Sequence, residues 1–278
     1  MNYYTAEQLK KLQNIELGIL CDIDRVCRAH GIAYFIDSGT ALGAVRHGGF
    51  IPWDDDIDIG MPREDYERFL VVAQSELGDK YVVSDGRKND RQAAMFTKVW
   101  LKDTVFATKE TIEAGLPQGI FVDVLPYDEV SDDESVAARQ VSRCRLYQSL
   151  LYLYHSKNIV VPHHGFLGKV ELAVCAVAHA VLKRLVRQDR LKNRFEQIAR
   201  QETGADSKRL FVGAYSAYAF PRDILFPTKL IKFEGVEFPA PGDLELYLTQ
   251  LYGDWRTLPP EDKRRQHAPV ELSFGENG

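Results

Sequence analysis

The chain has 278 residues, 45% hydrophobic and 27% charged, the balance of an ordinary globular protein able to bury a full core. A net charge of −5 gives no bulk attraction to nucleic acid, so an anionic substrate must be met by local cations or by metal. The four cysteines, Cys21, Cys27, Cys144 and Cys175, have neither CxxC nor metal-ligand spacing and read as reduced core thiols.

In chain order, the first ten residues lack a basic-then-apolar leader, so no secretory signal is expected and the chain reads as cytoplasmic. Thr5 with Gln8 forms a capping-box pattern, and Leu9, Leu12, Ile15, Ile19, Ile23 and Val26 hold a helical stripe until Gly31. The apolar run 33–36 predicts a strand, and Ser38-Gly39-Thr40 follows it at the start of a short helix. Strand, small-residue turn and helix start make a phosphate cradle, because small residues let backbone N–H groups approach an anion that the helix N-terminus favours.

Residues 51–59 then read Ile-Pro-Trp-Asp-Asp-Asp-Ile-Asp-Ile. In a strand, Asp54, Asp56 and Asp58 fall on one face while Asp55, Ile57 and Ile59 fall on the other, giving one anionic face and one that packs. Carboxylates at that density repel one another unless a cation sits among them, and hard oxygen ligands suit Mg²⁺ or Mn²⁺ better than zinc. Side chains two apart on a strand are separated by roughly 6–7 Å at the backbone, a spacing from which they can converge on an ion. Pro62 marks the next helix start, with Tyr66, Phe69, Leu70, Ala73 and Leu77 as its apolar face, and a short strand at 81–84 precedes a polar loop.

Residues 95–102 alternate, placing Phe96, Lys98, Trp100 and Lys102 on one face. Lys98 has two readings, a cation for a phosphate or a lysine that blunts an exposed edge strand. In the apolar strand 119–126 stands a single acid, Asp123, which reads as a third metal ligand placed to take the proton of an attacking hydroxyl, or as a structural acid held by backbone amides. Beyond it, 131–201 reads as helices, with Ser131 as the cap of the first. The stretch 166–186 is the most apolar of the chain, but Glu171 and His179 interrupt it short of a membrane span. A buried core helix and an interfacial helix with a basic trailing edge are its two readings. His163 and His164 read as surface residues of a loop, since no third ligand is spaced to join them.

Asp37-Ser38-Gly39-Thr40-Ala41-Leu42-Gly43, Ile51-Pro52-Trp53-Asp54-Asp55-Asp56-Ile57-Asp58 and Phe121-Val122-Asp123-Val124-Leu125-Pro126 together resemble the LicD-type phosphocholine transferases, a family that includes fukutin and fukutin-related protein. Phe233-Glu234-Gly235, Leu251-Tyr252-Gly253-Asp254-Trp255, Leu258-Pro259-Pro260 and His267 extend the likeness to the C-terminal part, while the helical stretch matches no motif. The resemblance implies an α+β fold, a nucleotidyltransferase-like mixed sheet flanked by helices. It divides as a catalytic core over 1–130, a helical region over 131–205 that is acceptor-binding or membrane-proximal, and a part over 206–278 that completes the core.

The activity implied is metal-dependent transfer of a phosphocholine-like or polyol-phosphate group from a CDP-linked alcohol to a sugar hydroxyl, with CMP leaving. The acceptor would be a glycan or lipid-linked oligosaccharide, with peripheral association at the inner membrane face. Asp56, Asp58 and Asp123, with Asp54, would hold Mg²⁺ or Mn²⁺, and Asp123 would be the base. Ser38, Gly39, Thr40, Arg46 and Lys98 would contact the donor. Trp100, sharing a face with Lys98, would receive a choline head, since a quaternary ammonium binds aromatic faces. Alternatives are transfer of NMP on the same fold, a non-catalytic binding module, and a D-x-D glycosyltransferase, which the Ser-Gly-Thr turn fits less well.

Overall fold

The computed structural model describes residues 4–157, 165–215, 219–264, 266–267 and 269–275. His163 and His164 lie outside them. Helix α1 (Ala6–His30) carries the capping box, with Thr5 accepting the Gln8 amide at 3.1 Å and the Gln8 side chain accepting the Thr5 amide at 2.9 Å. It ends at Gly31, whose φ of +58° is the left-handed cap that glycine adopts freely. Its apolar stripe packs under a sheet built mainly from the first half of the chain.

The order is then β1 (Phe35–Ile36), α2 (Ser38–His47), β2 (Asp58–Pro62), α3 (Arg63–Leu77), β3 (Tyr81–Asp85), β4 (Thr97–Leu101), β5 (Val105–Ala107), α4 (Lys109–Ala114) and β6 (Phe121–Val130). Three helices follow, α5 (Glu134–His155), α6 (Gly165–Leu185) and α7 (Gln188–Ala199). The chain finishes with β7 (Arg209–Val212), β8 (Ala219–Pro221), α8 (Arg222–Leu225), β9 (Lys229–Phe233), β10 (Val236–Ala240), α9 (Leu244–Tyr252) and β11 (Glu271–Ser273).

The fold is α+β, with a mixed sheet of seven strands flanked by helices. Its order is β1-β2-β6-β4-β3, with β7 added to the far half of β6 and β8 to β7. Strands β2 and β6 run parallel and the other pairs antiparallel. Small ribbons β9–β10 and β5–β11 lie off the sheet.

Three local expectations are revised. Strand β4 lies between β6 and β3, so Lys98 is not on an edge strand. The acidic run enters the ladder only at Asp58, and 54–57 is an irregular lead-in, because β1 is two residues long and pairs only with Ile59 and Gly60. The alternation still holds in burial, with Ile57 and Ile59 buried and Asp54, Asp56 and Asp58 partly exposed. Finally, α5 is capped by Asp133, which accepts the Ser135 and Val136 amides at 2.8 and 3.0 Å, instead of by Ser131.

Arg63 at the start of α3 is buried and donates twice, at 2.6 Å each, to the buried Asp128 of β6. Its Nη1 also lies 3.6 Å from Glu196 of α7, which ties the helical stretch to the sheet. Gly60 explains how β1, β2 and β6 approach so closely. A Cβ there would stand 2.6 Å from the Tyr127 ring and 2.7 Å from the Phe35 ring. Gly60→Ala is therefore expected to destabilise the fold by about 1–3 kcal/mol, the usual cost of overpacking, read as a lower denaturant midpoint with an unchanged slope.

Candidate active site

Three neighbouring strands bring the predicted residues into a row. Asp58 on β2 stands in register with Asp123 on β6, and Asp123 with Lys98 on β4. Lys98 Nζ donates to both Asp123 oxygens, at 2.6 and 2.9 Å, and lies 3.6 Å from the centre of the Phe121 ring. Asp56 and Asp58 open onto a cavity of about 410 Å³ that Ser38 and His267 also line.

Helix α2 supplies the second wall. Its cap is Asp37, a buried carboxylate that accepts the Ser38 amide at 2.6 Å, the Tyr127 hydroxyl at 2.8 Å and the Tyr247 hydroxyl. Ser38 takes a φ of +44°, a left-handed conformation that a non-glycine residue holds only where its surroundings impose it. Thr40 is buried, and its Oγ1 accepts the Asp58 amide at 3.0 Å, so it fixes the start of β2. Asp54 lies against Gly39, where a Cβ would be 3.0 Å from Asp54 Oδ2. Arg46 donates to the Trp255 carbonyl at 2.9 Å, and its charge acts on Asp54.

Trp100 is not brought to this cavity. It is buried in a separate cluster with Tyr4, Leu12, Phe106 and Phe121, because the Lys98 stem turns toward Asp123 while the larger ring is taken up between β4, β6 and α1. The aromatic wall of the cavity is instead Tyr127, Phe220 and Tyr247, with Tyr215 half exposed. Phe220 and Tyr247 lie 5.1 Å apart between ring centres. None of these was singled out from sequence, for they come from β6, β8, α9 and the segment after β7, and tyrosines at such spacing read as core.

Asp55 and His267 were also assigned no role. Asp55 is buried and accepts the Tyr4 hydroxyl at 2.6 Å and the His267 amide at 2.9 Å. His267 Nδ1 stands 3.3 Å from Asp55 and 3.6 Å from Asp56. Asp55, Asp56 and His267 are the group of acids and imidazole, among the described residues, whose ligand atoms all lie within 4.8 Å of one another. The predicted set of Asp54, Asp56, Asp58 and Asp123 is adjacent but not converged to that degree.

The electrostatics follow from burial. Burial first, then the charges of Asp56 and Asp123, hold Asp58 well above the usual carboxylate range, and burial with Asp56 and Asp55 does the same to Asp54. Asp56 and Asp123 are raised too, chiefly by burial, against the pull of His267 and Lys98. Burial pushes Asp55 up as well, but the bonds from His267 and Tyr4 outweigh it and leave that carboxyl low. His267 shows the reverse balance: burial opposes its charge, yet the Asp55 hydrogen bond and the Asp56 charge lift it to about 9. Beneath them Glu16 of α1 is fully buried, with neither oxygen hydrogen-bonded among the described residues, and is raised well above its ordinary value by burial and then by Asp56, Asp55 and Asp54.

Asp54, Asp56, Asp58 and Asp123 are crowded, partly or fully buried carboxylates that raise one another, a repulsion that a hard divalent cation of the Mg²⁺ or Mn²⁺ type would relieve.

The architecture is that of a nucleotidyltransferase-like domain. Residues 31–143 match the family described as LicD/FKTN/FKRP, nucleotidyltransferase domain. The chain is 27% identical, over 265 residues, to the lipopolysaccharide cholinephosphotransferase LicD of Haemophilus influenzae, covering 93% of this chain and 95% of that one. An uncharacterized protein of Rickettsia prowazekii is 51% identical over 104 residues, 31% of this chain and 38% of its own. The human ribitol 5-phosphate transferase FKRP is 50% identical over 53 residues, 19% of this chain and 11% of that protein.

A raised folded-state carboxyl binds protons more tightly than the unfolded one, so its contribution falls as pH rises above the unfolded value of roughly 4. With Asp58 and Asp54 raised, the metal-free protein is expected to lose stability as pH rises from that value toward about 8, and Asp58→Asn to recover part of it, with Tm higher by roughly 2–4 °C for each kcal/mol. Thermal melts across that pH range, with and without Mg²⁺, check this. Equal melting of wild type and variant at pH 8 would contradict the electrostatic account.

Proposed function

We propose that the chain transfers a phosphocholine-type group from a CDP-linked alcohol to a sugar hydroxyl of a glycan or lipid-linked oligosaccharide met at a membrane surface, with CMP as leaving group. The observation that carries this reading is the Asp58–Asp123–Lys98 row, with Asp56 beside it, and a cavity that Asp56 and Asp58 line together with aromatic rings. Asp56, Asp58 and Asp123 would hold Mg²⁺ or Mn²⁺, with Asp54 next to them, and the bound ion would neutralise the donor pyrophosphate.

The chain's own residues take the remaining roles. Ser38 and Gly39 at the α2 N-terminus receive a phosphate oxygen, Thr40 keeps Asp58 in register with them, and Arg46 supplies positive charge from the Trp255 side. Asp123, raised by burial, accepts the proton of the incoming hydroxyl, and Lys98 holds its carboxylate in orientation. His267, held between Asp55 and Asp56, places a second cation at the cavity.

Choline is favoured over a polyol on two grounds. The relative named a cholinephosphotransferase aligns with nearly the whole chain, whereas the ribitol 5-phosphate transferase aligns over 53 residues. The Tyr127, Phe220, Tyr247 and Tyr215 wall also suits a quaternary ammonium, and the Tyr127 and Tyr247 hydroxyls are already given to Asp37, leaving fewer donors for a polyol.

The protein incubated with Mg²⁺, a panel of CDP-alcohols and candidate glycans is expected to release CMP. Pyrophosphate as product would instead establish NMP transfer. Asp56→Asn and Asp58→Asn should abolish turnover while the fold is retained, and Asp123→Asn should lower kcat more than it weakens donor binding. Tyr215→Ala is expected to weaken CDP-choline binding roughly 2- to 30-fold, about 0.5–2 kcal/mol, with a smaller effect on CDP-ribitol. Equal losses for both donors in calorimetric titrations would remove the choline reading and leave the transfer chemistry standing.

A further inference from the structure

Helix α6 is apolar on two faces, and the fold covers one. Gly168 and Leu182 turn inward, and His179 Nδ1–H donates to the Leu153 carbonyl at 2.8 Å, seating the helix on α5. On another side Leu167, Val170, Val174, Val177, Val181 and Leu185 recur at intervals of three and four residues, which places them in one row along the helix. They are exposed by 45% (Val170) to 74% (Leu185). A helix apolar on both faces belongs inside a core or against something else, and no protein segment among the described residues covers this row. Other exposed apolar side chains, such as Val71 and Ile112, stand singly.

Charge decides between occupants. The exposed charged residues of the helix are Lys169, Lys183 and Arg184, its one acid, Glu171, is half-buried, and beyond it Arg187 pairs with Asp189 ahead of Arg190. A second copy paired through this row would offer no exposed acid of its own α6 to these cations, since the exposed charges of the helix are all basic. An anionic lipid surface would meet both features, taking the apolar row into the acyl boundary and the basic residues among its headgroups. No described helix is long and apolar enough to cross a membrane, so the contact is a surface one. We propose that the uncovered face of α6 docks the protein on an anionic membrane surface. This deepens the acceptor reading given above, yet it is tested without donor or acceptor, so the two readings fail separately.

The test is co-sedimentation with vesicles of phosphatidylcholine alone and of phosphatidylcholine with phosphatidylglycerol. The wild type is expected to pellet with the mixed vesicles and to be released by salt. The double variant V174D/V177D, whose changes lie on exposed positions and whose far-UV dichroism should match the wild type, is expected to bind at least about tenfold more weakly. K183E/R184E, which leaves the apolar row intact, should lose preference for the anionic vesicles. Wild type that stays in the supernatant with mixed vesicles, or variants that pellet like it, would overturn the proposal. So would a concentration-dependent dimer in light scattering that V174D/V177D abolishes, which would give the face to a second copy.

Discussion

Repulsion among crowded, partly buried carboxylates is the constraint on which the site depends. The parallel pairing of β2 with β6 sets Asp58 beside Asp123, and the lead-in to β2 keeps Asp54, Asp55 and Asp56 within reach of the same charges. A fold that only needed to be stable would not collect these groups where burial raises each of them. Partial offsets are built in. Lys98 is held against Asp123 by two hydrogen bonds, and its own placement in the middle of the sheet is tolerable because that carboxylate and the Phe121 ring receive it. Asp55 is bonded by Tyr4 and His267.

The offsets come from distant parts of the chain, and this explains why the C-terminal motifs accompany the acidic block. The turn between β9 and β10 places Glu234 over the loop before the acids: its side chain accepts the Phe50 amide at 3.2 Å and its own amide donates to the Gly48 carbonyl at 3.0 Å. Trp255 offers its carbonyl to Arg46, Tyr247 gives its hydroxyl to Asp37, and His267 closes on Asp55. Each contact joins residues roughly two hundred positions apart. The acidic loop is irregular in itself; its order is imposed from outside by these ties.

That division also sets how far the chain could be read from sequence. Local signals were legible because their physics is local: the Thr5–Gln8 box, the Gly31 stop, the strand–turn–helix around Ser38 and the alternation that buries Ile57 and Ile59 while leaving Asp56 and Asp58 accessible. Asp123 was visible because a lone acid in an apolar strand is costly without a partner. Which cation partnered it depended on the order of β6, β4 and β3, which periodicity does not encode. Trp100 was drawn toward the site by sharing a strand face with Lys98, whereas a flexible stem and a large ring beginning on one face end in different places. The stretch 166–186 was left between a buried core helix and an interfacial one for a related reason, since apolar content says a helix must be covered and not how much of it the remaining fold reaches.

Put together, these placements give the cavity a polarity. Its lining combines the carboxylates Asp56 and Asp58 and the His267 imidazole with Tyr127 and Tyr247, whose hydroxyl groups are directed to Asp37. With the proposed ion bound, a molecule that is anionic at one end and cationic and apolar at the other would have one orientation in such a space, because reversing it would set phosphate against rings and ammonium against the ion. On the proposed chemistry that orientation puts the bond to be broken beside Asp123 and leaves the acceptor to approach from solvent. Selection of the donor and selection of the acceptor are then made on different surfaces, the first fixed by the sheet and its C-terminal ties, the second open to whatever the helical stretch brings near.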